Sequence, residues 1–154
     1  MKTGIIIVDH GSRRQESNQM LVELARCFGA RFAAAFDIVE PAHMEMAEPT
    51  IATAYAKCAA QGATMIVVCP YFLGPGKHWT EDIPRLAAEA ARQFPQTRFH
   101  VTPTLGIDDL ILDLLMKRIG HCQQFDYDCV ACRGSLPAGQ CPVAKAAGGS
   151  AAAP

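Results

Sequence analysis

The chain has 154 residues, half of them hydrophobic and 19 % charged, with a formal net charge of −1. That length suits one domain with a real core. The near-neutral charge gives no reason to expect nucleic acid or an anionic membrane as partner, and no apolar run approaches the ~20 residues of a membrane helix.

The N-terminus lacks a signal-peptide layout: Lys2 and a short apolar run lead straight to Asp9 and His10, with no small-residue cleavage site. As given, the sequence reads as cytoplasmic, and a plastid location stays open if a transit peptide was removed. Ile5-Ile6-Ile7-Val8 is a β-branched run without alternation, the pattern of a central strand buried on both faces. Asp9-His10-Gly11-Ser12 ends it. From about Arg14 a helix is predicted, with Met20, Leu21, Leu24, Ala25 and Phe28 on one face and Gly29 as its stop.

Arg31 to Val39 reads as a second, weaker strand that Glu40-Pro41 breaks. A short helical turn is expected over 42–48, ending before Pro49. Thr50 to Gln61 has Ile51, Ala54, Tyr55 and Cys58 on one helical stripe, closed by Gly62. Met65 to Cys69 is a third strand. Thr80 is the predicted cap of the next helix, with Glu81 and Asp82 set against its dipole and Ile83, Leu86, Ala87, Ala90, Ala91 and Phe94 at helical spacing.

Arg98 to Thr102 is a fourth strand, and Asp108 opens a last helix lined by Leu110, Ile111, Leu114, Leu115 and Ile119, with Gly120 as its end. The predicted domain is therefore 1–120, followed by a Cys-rich segment 121–145 and a disordered Ala/Gly/Ser tail 146–154. The β-α alternation calls for an α/β fold: a four-stranded parallel sheet flanked by helices, with flavodoxin-like winding. In that winding strands 1 and 3 are neighbours where the direction reverses, and ligands bind at their carboxyl ends. His10 follows strand 1 and His78 follows strand 3, so the topology brings the two histidines to one crevice.

Each histidine alone is equally well a loop residue bonded to the backbone. Together they offer imidazoles that can bind a divalent transition metal or accept a proton near neutral pH. Glu40 and Glu45, after strand 2, are candidate carboxylates. Gly74-Pro75-Gly76-Lys77 imitates a phosphate loop, but Tyr71 and His78 stand where a Walker motif needs glycine and Ser or Thr. No dinucleotide fingerprint follows any strand, so the chemistry is expected to run without ATP or NAD.

His10-Gly11-Ser12-Arg13, Val39-Glu40-Pro41 with Met44 to Pro49, and above all Pro70 to Pro84 (PYFLGPGKHWTEDIP) resemble the small class II chelatases, the short sirohydrochlorin cobaltochelatase/ferrochelatase family. The likeness covers roughly Met1 to Gly120. It implies insertion of Co²⁺ or Fe²⁺ into sirohydrochlorin, on the way to cobalamin or sirohaem, by a homodimer of half-lobes. It carries the family's site histidines onto His10 and His78. One imidazole can hold the metal while another takes pyrrole protons, with Glu45 as the candidate catalytic carboxylate. Ser12, Arg13, Lys77 and Trp79 are candidate contacts for the carboxylate-rich macrocycle, with Arg14 beside them.

The chain holds seven cysteines. Cys27, Cys58 and Cys69 sit in regular segments and read as small buried hydrophobes. Cys122, Cys129, Cys132 and Cys141 crowd the last quarter, as in the C-terminal segment of plant-type relatives, which binds a [2Fe–2S] cluster. A [2Fe–2S] cluster is expected on them, with zinc as the alternative. Two other functions compete: an iron–sulfur carrier or metallochaperone using that tail, and a phosphohistidine phosphatase, which Asp9 disfavours by standing where an arginine is usual.

Overall fold

The parallel sheet and its helices are set out by the computed structural model, which describes residues 2–125. In chain order the elements are β1 (Thr3–Asp9), α1 (Gln15–Arg31), β2 (Ile38–His43), α2 (Ile51–Ala60), β3 (Met65–Pro70), one π turn (His78–Asp82), α3 (Ile83–Ala91), β4 (Arg98–Val101) and α4 (Asp109–Gln124). The four strands are all parallel in the order β2-β1-β3-β4. That is the flavodoxin-like winding expected of the sequence, with β1 and β3 adjacent at the reversal.

Strand alternation divides the core into two layers. Ile6 and Val8 face Ile51, Ala54, Tyr55 and Cys58 of α2 and Ile83, Ala87 and Ala90 of α3. Ile5 and Ile7 face Leu21 and Ala25 of α1. Each isoleucine so buried contributes roughly 1.5–3 kcal/mol before the entropy of ordering the chain is subtracted. The Tyr55 hydroxyl is sealed inside by a 2.7 Å hydrogen bond with Thr97 Oγ1.

Several expectations need correction. The second strand is not Arg31 to Val39 but Ile38–His43, and it runs through Glu40-Pro41. Pro41 pairs with Ile7 in the parallel register. β2 is an edge strand, where proline's missing donor costs no ladder bond if it faces outward. The residues after it, which are predicted to form a helical turn, are an irregular loop with Met46 at φ +67°.

Neither Gly29 nor Gly120 stops its helix: α1 continues to Arg31 and α4 to Gln124. A glycine within a helix costs only about 1 kcal/mol, and neither adopts the positive φ of a stop. Thr80 is likewise no cap, because it lies inside the π turn and its hydroxyl donates to the Gly76 carbonyl at 3.2 Å. Thr50 does cap α2, accepting from the Thr53 N–H at 3.2 Å.

The chain divides into two units, Met1–Gly106 and Ile107–Pro154. The first contains the whole sheet with α1 to α3. In the second, Asp108 caps α4 by accepting from the Leu110 N–H at 2.9 Å. The predicted stripe of Leu110, Leu114, Leu115 and Ile119 on that helix is exposed. No helix among the described residues is long and apolar enough to cross a membrane.

Candidate functional site

β1 delivers its last residues into a tight knot with the end of β2. The Asp9 carboxylate oxygen Oδ1 accepts from the Gly11 N–H at 2.9 Å and lies 2.6 Å from Nδ1 of the fully buried His43. A carboxylate oxygen accepts, so the imidazole nitrogen donates. Beyond the strands, Met44 N–H donates to the Asp9 carbonyl at 2.8 Å and Glu45 N–H to the His10 carbonyl at 3.1 Å. These bonds carry Glu45 alongside His10.

Gly11 makes that approach possible. Its φ is +86°, and a Cβ there would strike the carbonyl oxygen of Glu45. The result is a 2.9 Å contact between His10 Nε2 and Glu45 Oε1. The other His10 nitrogen, Nδ1, lies 3.2 Å from the Gly11 carbonyl.

β3 supplies the second histidine. Tyr71 N–H donates to the Val8 carbonyl at 2.7 Å, holding the exit of β3 against β1. The loop that follows is tied to the segment after β4 by bonds from Leu105 N–H to Phe72 O and from Gly106 N–H to Leu73 O, both 2.9 Å. The indole N–H of Trp79 donates to the Thr102 carbonyl at 3.1 Å. The π turn then closes with Ile83 N–H on the His78 carbonyl. On its inner side, His78 Nδ1 donates to Asp82 Oδ2 at 2.9 Å.

The two histidine rings meet. Their centroids are 5.1 Å apart at an interplanar angle of 70°. Of the two candidate carboxylates only Glu45 is present; Glu40 instead contacts Gln61 at 3.0 Å and Lys57 at 3.6 Å. Both histidines are about half exposed, His10 at 42 % and His78 at 46 % of the side chain, so the crevice opens to solvent. The set of two imidazoles and one carboxylate has the nitrogen and oxygen donors that divalent first-row metals accept. Among the described residues, no group of three His, Cys, Asp or Glu side chains is placed so that it could hold a metal ion.

The other sequence-predicted residues separate. Ser12 Oγ accepts from the Arg14 N–H at 3.0 Å, and its own N–H donates to Asn18 Oδ1 at 2.9 Å, so Ser12 organises the entry to α1. Arg13 and Lys77 are exposed and Trp79 is half-buried. Cys122 lies in the last turn of α4. Cys129, Cys132 and Cys141 lie outside the described residues, as does the predicted tail 146–154. Sequence reasoning missed Asp9 and His43 as a pair and Asp82 as the partner of His78. The second was available, since His-x-x-x-Asp at a helix start puts both side chains on one face.

A parallel α/β unit with paired imidazoles and a carboxylate at its switch point is a flavodoxin-like domain with nitrogen and oxygen donors gathered at its strand ends. The CbiX family model matches residues 4–122, and the chain belongs to the CbiX family. It is 49 % identical over 136 residues to the chloroplastic sirohydrochlorin ferrochelatase of Arabidopsis thaliana, an alignment covering 86 % of this chain and 60 % of that protein. It is 48 % identical over 82 residues to the sirohydrochlorin cobaltochelatase of Methanocaldococcus jannaschii, covering 53 % of this chain and 56 % of that one. Among solved structures, SirB from Bacillus subtilis with Fe³⁺ superposes with a TM-score of 0.70 at 31 % identity, covering 77 % of this chain and 46 % of SirB. The chain thus spans about half the length of these relatives.

Proposed function

We propose that this chain inserts Co²⁺ or Fe²⁺ into sirohydrochlorin without ATP, using His10, His78 and Glu45. The observation that carries the proposal is the meeting of His10 and His78 at 5.1 Å with Glu45 on His10. Support comes from relatives named as sirohydrochlorin ferrochelatase and cobaltochelatase.

Metalation exchanges two pyrrole protons for one divalent ion. The imidazoles replace part of the ion's water shell with nitrogen donors, and the ring nitrogens then displace them. The two protons have two acceptors within reach, the His10 imidazole and the Glu45 carboxylate, both open to solvent for release. Arg13 and Lys77 are proposed to meet the macrocycle's carboxylates, with Trp79 a flat face at the crevice.

Anaerobic metalation of sirohydrochlorin with Co²⁺, Fe²⁺ and Ni²⁺ tests this reading in wild type, His10→Ala and His78→Ala. Both variants are expected to lose most of the rate. Unchanged rates would sink it.

A homodimer is proposed to complete the crevice, because one sheet offers a single wall to a large ring. The match to only 46 % of a SirB chain supports a half-lobe. Light scattering on the purified protein should give twice the chain mass; a monomer that still metalates would remove the dimer. The thiolates of Cys122, Cys129, Cys132 and Cys141 are proposed to hold [2Fe–2S], with zinc as the competing occupant. Sulfide-to-iron absorbance bands in anaerobically purified protein are expected, and their absence alongside bound zinc would decide against the cluster. Such a site requires a reducing compartment, the cytoplasm or a plastid.

A further inference from the structure

The hydrogen bond under His78 lies outside the buried core. His78 and Asp82 both lie in the π turn, and neither belongs to the buried core. Yet Asp82 is the more enclosed of the two, at 27 % exposure against 46 %, and one of its oxygens is committed to a single ring nitrogen, Nδ1 of His78, at 2.9 Å. Its other oxygen, Oδ1, faces Arg85 Nη2 at 3.9 Å, and Arg85 Nη1 is in turn paired with Glu89 at 2.9 Å. A cation three residues along the chain thus lies near the carboxylate's other oxygen.

A carboxylate oxygen has no proton to give, so Nδ1 must carry it. In a neutral imidazole that leaves the lone pair on Nε2, the nitrogen remote from Asp82. We infer that Asp82 is a positioning residue that fixes His78 in the Nδ1–H tautomer and aims its Nε2 at the incoming metal ion. The inference rests on the chelatase reading above and deepens it. It also separates the two histidines. By the same rule His10 Nε2 donates to Glu45 at 2.9 Å, which leaves its other nitrogen, Nδ1, against the Gly11 carbonyl at 3.2 Å, whereas the nitrogen that Asp82 leaves open on His78 has no carboxylate beside it among the described residues. His78 is the first acceptor of the ion, and His10 with Glu45 is the proton-accepting side.

The π turn contributes to this arrangement. Its closing bond spans five residues, from His78 O to Ile83 N–H, and such turns recur at functional sites. Here it keeps His78 and Asp82 on one face while α3 begins directly behind them at Ile83. Loss of a partner that orients a metal-binding histidine typically weakens metal affinity or activity about 10–100-fold.

The test uses the full-length chain. Long-range ¹⁵N–¹H NMR, with the His78 signals assigned by their loss in His78→Ala, reads the tautomer directly. Wild type should show Nδ1–H at His78, and Asp82→Ala should move it toward the Nε2–H form that a free histidine side chain prefers in water. In the metalation assay Asp82→Ala should raise KM for Co²⁺ by about 10–100-fold and leave KM for sirohydrochlorin in place. Asp82→Asn, whose amide oxygen can still accept from Nδ1, should recover most of the loss. An Nε2–H tautomer in wild type, or an unchanged metal KM in a folded Asp82→Ala, would overturn the inference. The wild-type spectrum decides even if Asp82→Ala does not fold. If His78→Ala itself keeps the wild-type metal KM, the metal-binding role of His78 falls, and the inference with it.

Discussion

The backbone of Gly11 runs so close to the Glu45 carbonyl oxygen that only a hydrogen fits between them. Gly11→Ala must adopt a positive φ, costing about 1–2 kcal/mol, and must also push the Glu45 segment away. Urea denaturation should show a loss of at least that size. On the proposed function, metalation should fall further than the lost stability explains, because the displaced segment carries the carboxylate that contacts His10 at 2.9 Å.

Glu45→Gln keeps the shape of the side chain and removes its capacity to take a proton. Glu45 is more than half exposed, so the melting temperature should not change. The metalation rate should drop by about 10²-fold, the scale of a single proton acceptor. A rate equal to wild type would assign both protons to His10 or to solvent.

Asp9, partly exposed, and His43, fully buried, form a pair whose removal is asymmetric. Asp9→Ala strands His43 Nδ1 and the Gly11 N–H together, at about 1–3 kcal/mol for each unsatisfied group. His43 Nε2 has no hydrogen-bond partner among the described residues, so the Asp9→Ala, His43→Leu double variant should be more stable than Asp9→Ala alone. A double-mutant cycle by chemical denaturation measures the coupling directly. Additive losses would show that the two side chains act independently.

Burial pushes the Cys58 thiol from its ordinary value near 9 up to about 12, with the Glu40 charge as a lesser cause. The unfolded chain then releases this proton before the folded one does. The stability conferred is complete below about pH 8.5 and declines as the pH rises toward 12, by up to roughly 1.4 kcal/mol per pH unit. Denaturation midpoints measured from pH 8 to 10.5 should fall along this slope, and Cys58→Ala should flatten it. Cys58 should also resist alkylation in the native state, while Cys27, on the exposed side of α1, should react.

The continuous apolar runs of β1 and β3 made the parallel sheet and its winding readable, and the winding alone predicted the His10–His78 meeting. What escaped was whatever depended on β2. Its β-branched content is confined to Ile38 and Val39, and a proline sits inside it, so local propensity pointed to the alanine-rich stretch before it. With β2 misplaced, the register of Asp9 against His43 and the path that brings Glu45 beside His10 were both out of sight. The glycines misled in a different way. Gly74 and Gly76 look like the shapers of the site loop, yet an added Cβ at either meets nothing within 4 Å. Gly11, which reads as an ordinary turn, is the position where the backbone has no alternative. Exposed loops tolerate a glycine they do not need, and only the three-dimensional approach of another segment reveals the necessary one.

The strand order β2-β1-β3 has a consequence for how the chain reaches its active form. Glu45, His10 and His78 come from three separate crossovers, and each parallel pairing requires a long stretch of chain to close before its contacts form. No early folding species with only the β1–α1–β2 portion in place can bring the two imidazoles together. On the proposed function, competence to take up the ion should appear only once β3 has joined β1, later than the helix signal.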